Sequence, residues 1–323
     1  SVIGVFFYLD FSSFIGSPVT PSAQTTLFTV KPGQGLSSIA QDLKNQKIID
    51  DPFYFKLYAR FKKADKKVMA GEYLLSASQS PEQILSTLVS GKVKLYKVTI
   101  PEGFNIKEIA SVLEAKKMCT AQEFTELCSD KNFIEGLGVK ALSLEGYLFP
   151  DTYFFPKQTT CSTIIETMVK NFRMIYQEKW HNKAASLGFS QHEIVTLASI
   201  IEKETGDPNE RPLISSVFHN RLKKRMRLES DPTVIYGIKD FDGNIKRKHL
   251  KMLTPYNTYK IKGLPVGPIA SPGEKSLEAA LYPAKSDYLF FVSKKDTTHY
   301  FSKTLKEHNR AVRKYQLRKR QSY

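Results

Sequence analysis

The alternation of apolar and polar positions from residue 27 onward predicts a chain of short strands and helices. Residues 27–31 alternate as a strand does, and Pro32, Gly33, Gln34 and Gly35 follow as a turn. Leu36, Ile39, Ala40 and Leu43 recur at helical spacing through 37–45. Pro52 stands where a helix begins, and 53–61 carries an aromatic stripe of the kind that fills a core. A strand at 70–75 and a helix at 81–89, stopped at Gly91, close this stretch. Residues 98–113 echo it with strand, Pro/Gly turn and helix, hinting at a small internal duplication, and helical spacing returns at 120–129. The aromatic segment 144–156, L-E-G-Y-L-F-P-D-T-Y-F-F-P, holds two prolines, which argue against a central strand or a helix interior. From 162 the pattern is mainly helical, broken by a Pro- and Gly-rich loop at 262–273. The expected class is α+β, with a boundary near Pro156 and a mainly helical domain after it.

The first residues differ from the rest. Residues 2–9 are an unbroken apolar run, followed by Asp10 and a second apolar run at 11–15. A spanning helix needs about 20 apolar residues, and this run is shorter. Because it begins at Ser1 rather than Met, we expect it to be the outer end of a longer N-terminal membrane anchor. The Ser-, Pro- and Thr-rich residues 17–26 then form a linker.

Composition narrows the partners more than the fold. The formal net charge of +16 favours an anionic surface such as nucleic acid, lipid headgroups or an acidic polymer. Part of it is local, at 62–63, 66–67, 221–227, 246–251 and 313–320, where a solvated face is the ordinary reading. No nucleic-acid motif accompanies the charge. Three cysteines, Cys119, Cys128 and Cys161, make no zinc-spaced set. One bridge, such as Cys119–Cys128, and buried free thiols both fit. No H-E-x-x-H, phosphate loop or G-x-S-x-G is present, so no metal or other cofactor is indicated.

The sharpest local feature is 190–206, S-Q-H-E-I-V-T-L-A-S-I-I-E-K-E-T-G. Ser190 and Glu193 make a capping box, and Gly206 is the expected stop. Glu204 lies seven, four and three residues beyond Leu197, Ile200 and Ile201, so it shares their apolar stripe, while Glu202 points further from it. A carboxylate on that face at a helix C-terminus is disfavoured by desolvation and by the helix dipole. Both raise its pKa, as a general acid at neutral pH requires. The competing reading is that Glu204 pairs with Arg211, Arg221 or a lysine and only fixes the helix end.

Downstream motifs bear on that choice. E-R-P-L-I-S-S-V-F-H-N-R-L (210–222), L-E-S-D-P-T-V-I-Y-G (228–237), P-Y-N-T-Y (255–259) and G-L-P-V-G-P-I-A-S-P-G (263–273) join E-K-E-T-G and the aromatic segment. In that order they resemble the YceG/MltG family of endolytic murein transglycosylases from about residue 27 to 315. The stretch 27–75 separately resembles a LysM-type module, which in its families binds N-acetylglucosamine polymers. The family resemblance implies Glu204 as the catalytic acid/base, and Glu145, Glu229, Ser230, Asp231, Thr233, Asn257 and Tyr259 along the saccharide cleft. It also implies a single-pass inner-membrane protein whose catalytic domain faces the wall, acting on peptidoglycan glycan strands beside cell-wall synthases. Two positions depart from the family pattern: Glu229 replaces a common Gln, and Val266 a common Pro. An extra carboxylate at Glu229 would raise the pKa of Glu204 if close, or would simply face solvent. His299 and His308, with Asn309, match the family's C-terminal pattern and are expected to be structural.

The expected organisation is 1–16 as the anchor end, 17–26 as linker and 27–95 as a LysM-like domain. Residues 96–156 follow as a second small α/β region with its aromatic connector, then 157–315 as catalytic domain and 316–323 as a basic tail. The rival readings are a non-catalytic wall-binding scaffold for synthases and a two-carboxylate glycan hydrolase using Glu229.

Overall fold

A computed structural model describes residues 2–239 and 241–317. The predicted basic tail lies outside the described residues from 318 onward. Two compact units emerge, the first comprising residues 1–97 and 154–159, the second 98–153 and 160–323.

The first unit opens with α1 (Val2–Gly16), whose 15 residues match the two apolar runs. Among the described residues no helix is long and apolar enough to cross a membrane. Phe11, Phe14 and Ile15 pack on the unit's core, and Asp10 accepts a 2.7 Å hydrogen bond from the Tyr54 hydroxyl. Val5 to Leu9 stay exposed. Residues 17–25 are pinned, since the Thr20 amide donates to Ala77 O and the Ser76 hydroxyl to Ala23 O. Then come β1 (Thr26–Val30), α2 (Leu36–Asn45), α3 (Pro52–Phe61), β2 (Gly71–Leu75) and α4 (Pro81–Ser90). This order follows the periodicity. β1 and β2 pair antiparallel with Phe28 opposite Tyr73, both fully buried among Ile39, Leu43, Phe55 and Leu88. Asp51 caps α3 before Pro52, and Ser80 with Gln83 forms a capping box on α4. Gly91 ends α4 at φ +65°, a conformation costly for other residues. β3 (Leu95–Thr99) follows.

The second unit holds α5 (Ile106–Ala115), α6 (Ala121–Leu127) and α7 (Lys131–Gly136); β4 (Thr152–Pro156) pairs with β3, residues 95–97 and 154–156 belonging to the first unit and 98–99 and 152–153 to the second. The prolines are thus met by a two-stranded ribbon, where Pro156 ends its strand. α8 (Cys161–Ile175) and α9 (Glu178–Ser186) precede α10 (Gln191–Glu204), which is the centre of the unit. Every residue from Ile194 to Ile201 is buried. α10 packs against α9 and against α11 (Arg211–Lys223), α12 (Asp231–Tyr236) and α14 (Glu274–Leu281), with the short α13 (Arg247–Lys251) lying between the last two in sequence. An antiparallel hairpin that periodicity missed, β5 (Phe290–Ser293) and β6 (His299–Ser302), leads to α15 (Leu305–Val312) and a π-helical turn at Arg313–Leu317. Its strands have four residues each, too short for alternation to register.

Three expectations are corrected here. The disulfide joins Cys119 to Cys161, Cα atoms 5.5 Å apart, while Cys128 is free and buried, its thiol pushed up by burial. Closing a loop of 42 residues' separation should stabilise by about 4 kcal/mol on chain-entropy grounds. The double variant Cys119→Ser/Cys161→Ser should therefore melt several degrees lower, and Cys128→Ser should not reproduce that drop. Secondly, α10 stops where expected, with Gly206 just past its C-cap, but not through a left-handed glycine: Thr205 at φ −144° and ψ 140° turns the chain into extended backbone. Thirdly, Arg221 is not part of a solvated face but is 6% exposed.

Candidate active site

The capping box of α10 is present: Ser190 Oγ accepts from Glu193 N at 3.2 Å, and Glu193 Oε2 from Ser190 N at 2.8 Å. The helix it starts delivers two acidic residues at its far end, with different fates. The Glu202 side chain is 6% exposed, lies 2.9 Å from the Arg211 guanidinium and accepts the Gly273 amide at 3.0 Å. Glu204 borders a cavity of about 430 Å³ lined also by Arg221, Glu229, Asp231, Tyr259, Phe290 and His308. The competing reading of Glu204 as an ion-pair anchor is instead the role of its neighbour: among the described residues no cation lies within salt-bridge distance of Glu204.

Burial is the main cause raising Glu204 to about 7, and the Asp231 carboxylate adds to it. The hydrogen bond from Ser230 opposes first, and Arg221 second. Glu204 is half-buried as a residue and borders the cavity. Arg221 is too occupied to neutralise it. Its guanidinium donates to Leu289 O, Arg227 O, Leu228 O and the Glu229 carboxylate, and lies 4.9 Å from the Phe290 ring centroid.

Ser230 is held from both sides. Its amide donates to Thr258 Oγ1 at 3.0 Å and its carbonyl accepts from Thr233 Oγ1 at 2.6 Å, while the two threonine hydroxyls lie 2.8 Å apart. This frame aims the Ser230 hydroxyl at Glu204 Oε1, 2.5 Å away. Glu229, just before it, takes a left-handed φ of +53°, the strained turn that brings 230–231 to the cavity. Removing the serine hydroxyl takes away a donor that favours the ionised carboxylate. Ser230→Ala should move the Glu204 titration further upward, read from carboxyl chemical shifts against pH.

The residues expected along the cleft divide into three groups. Glu229, Asp231 and Tyr259 line the Glu204 cavity, with Tyr259 donating to Asp231 at 2.7 Å. Ser230, Thr233 and Asn257 stand behind it as fully or nearly fully buried support. Asn257 donates to His249 O, Leu250 O and Met252 O, closing the end of α13, and accepts the Tyr259 amide. Glu145 is elsewhere. It borders a second cavity of about 480 Å³, accepts from Ile106 N and the Tyr236 hydroxyl, and is raised by burial to about 7. Asp231 opens α12 and Tyr236 ends it, so one short helix touches both cavities. The 262–273 loop does not border the Glu204 cavity, although Ile269 N donates to the Ser199 hydroxyl and so packs the loop on α10.

Glu229, read as raising the Glu204 pKa if close or else facing solvent, is instead tied to Arg221 at 3.0 Å, and the carboxylate that raises Glu204 is Asp231. Sequence reasoning missed Phe290 and Phe291 as lining. An adjacent aromatic pair in a four-residue strand has no periodic signal that separates it from core.

The model for the YceG-like family matches residues 28–314. The chain belongs to the YceG-like family. A Bacillus subtilis relative named endolytic murein transglycosylase is 36% identical over 315 residues, covering 92% of this chain and 87% of the relative. A Streptococcus pneumoniae protein of the same name is 31% identical over 319 residues, and there the match spans 87% of this chain but 56% of the relative. A crystal structure of a YceG-like protein from Listeria monocytogenes is similar with a TM-score of 0.62 and 35% identity, over 89% of this chain and 98% of that one. In this YceG-like chain the E-K-E run at 202–204 holds two glutamates with the separate environments described above.

Proposed function

We propose that this protein is an endolytic peptidoglycan lytic transglycosylase that cleaves the bond between N-acetylmuramic acid and N-acetylglucosamine, with Glu204 as acid and base. The observation that carries the reading is a carboxyl raised to about 7 beside an open cavity, with no cation paired to it among the described residues. The family relatives named endolytic murein transglycosylase support it.

Protonated Glu204 gives its proton to the glycosidic oxygen as the bond from that oxygen to C1 of the muramic sugar breaks. The C6 hydroxyl of the same sugar then bonds to C1, closing a 1,6-anhydro ring, and its proton returns to Glu204. The nucleophile belongs to the substrate, so its high effective concentration replaces an activated water. A two-carboxylate hydrolase needs a second free carboxylate across the bond. Here Glu229 is held by Arg221 and Asp231 by Tyr259, which favours the single-carboxylate route.

Mass spectrometry of the products tests this. Anhydro ends are expected on released strands. Ends one water heavier would mean hydrolysis, and no release would leave a wall-binding scaffold.

The proposal extends to location. The exposed apolar side chains of α1 fit a segment in contact with lipid, and the strand–helix–helix–strand order of the first unit fits a LysM-like glycan-binding module. An enzyme held to the outer face of the membrane meets nascent strands first, next to the synthases that extend them. The full-length protein in vesicles should therefore cut newly polymerised, uncrosslinked strands faster than mature wall, and equal rates on both would count against tethering.

A further inference from the structure

The cavity beside Glu204 has two kinds of lining. From α10 and residues 228–259 come acidic and phenolic groups, each already hydrogen-bonded: Glu204 to Ser230, Glu229 to Arg221, Asp231 to Tyr259. From the C-terminal hairpin and α15 come Phe290, Phe291 and Leu305, with His308 and Asn309 as the polar members. His308 stacks on Phe290 with centroids 5.2 Å apart and planes 25° from parallel. Its Nδ1 is enclosed and has no hydrogen-bond partner among the described residues. An orphaned buried N–H is rarer and more costly than a buried lone pair, so the neutral ring keeps its proton on Nε2. Burial first, and Arg221 second, hold the imidazole below its usual range, with Glu229 opposing. A neutral donor therefore stands in this largely apolar wall, next to Asn309.

We infer that His308 is a specificity-determining residue that donates its Nε2 hydrogen to the acetamido carbonyl of an N-acetylated sugar bound beside Glu204. The acetamido group fits this wall because it joins a carbonyl acceptor to a methyl, which Phe291 and Leu305 can cover. A plain hydroxyl would answer the imidazole but leave the apolar surface unfilled. The inference rests on the glycan-cleaving reading above and names the group on the substrate that the second wall recognises.

The test crosses two changes, one in the protein and one in the substrate. Wild type, His308→Phe and His308→Gln are compared on fully N-acetylated strands and on the same strands after de-N-acetylation. His308→Phe keeps the stacking on Phe290 and loses the donor; its KM on N-acetylated strands should rise about ten-fold with kcat little changed. His308→Gln retains an N–H and should recover most of that loss. On de-N-acetylated strands wild type and His308→Phe should be equally poor, because the same contact is missing from both. The inference is overturned if His308→Phe matches wild type on N-acetylated strands, or if the two losses multiply. Calorimetric binding of both strands to the Glu204→Gln forms of each protein reads the same contrast without turnover. Failure of the cleavage reading and failure of this one are therefore separable. Thermal unfolding of each variant shows whether a loss comes from misfolding.

Discussion

Glu204→Gln is expected to slow strand cleavage by a factor of about 10² to 10⁴, the usual worth of one positioned acid/base group, while leaving the fold intact. The amide preserves size and can still accept from Ser230, but it cannot release a proton to the glycosidic oxygen. Quantifying anhydro ends against time for both proteins measures the effect, and an unchanged rate would remove Glu204 from the chemistry. The pH dependence follows from the same group. Catalysis starts from the protonated carboxyl, so kcat/KM should be sustained below about pH 7 and fall as pH rises through that value. The stability linkage has a matching sign. A carboxyl whose folded pKa is raised from 4.5 to about 7 binds its proton more tightly in the folded state. It therefore favours folding at low pH, and that contribution is lost as pH rises through about 7. Above that pH the ionised, desolvated carboxylate is a burden that glutamine lacks. Glu204→Gln should thus melt at the same temperature as wild type or higher at pH 8, separating lost activity from lost structure. Glu145, raised to about 7 by burial, contributes to stability with the same sign.

The companion change two residues earlier should act in the opposite way. Glu202→Ala is expected to destabilise the second unit by about 3–5 kcal/mol, because it strips the partner from a buried guanidinium. The side chains of Arg211 and Glu202 are only 7% and 6% exposed. The remaining contact of Arg211, to Glu102 at 3.4 Å, involves a carboxylate that is 47% exposed and cannot substitute fully. The Gly273 amide loses its acceptor as well. For a unit of this size the loss corresponds to a fall in Tm of roughly 6–20 °C. Calorimetry measures it directly. At a temperature where the variant is folded, its kcat should stay near the wild-type value, since Glu202 does not border the cavity. A variant that lost activity but kept its Tm would reverse the roles assigned to the two glutamates.

Several features of the fold were legible before any coordinates. The alternation at 27–31, the Pro32–Gly35 turn, the helical spacing that follows and the stop at Gly91 correspond to elements found within one or two residues. These depend on local rules: which face is buried, which residue caps, which glycine tolerates positive φ. The hairpin at 290–302 was not legible. Phe290 to Ser293 are all half-buried, so no contrast between faces marks the strand. The cysteine pairing was equally closed to inspection, since Cys161 is far from Cys119 in sequence and meets it only through the packing of α6 and α8.

At the site itself the sequence by itself determined that an acidic pair would sit at the end of an apolar, well-capped helix. It could not decide what each glutamate would meet. The face argument that preferred Glu204 assumed one buried stripe, yet α10 is buried on all sides from Ile194 to Ile201, so periodicity alone does not select a carboxylate. The choice was made by groups distant in the chain. Arg211 reaches Glu202 from the next helix, while Ser230, fixed by Thr233 and Thr258, reaches Glu204. Likewise only the tertiary structure sent Glu145 to a separate cavity and Asn257 behind the wall. The physical reason is that the energy of a buried charge depends on partners within a few ångströms, and local sequence specifies the burial without specifying those partners.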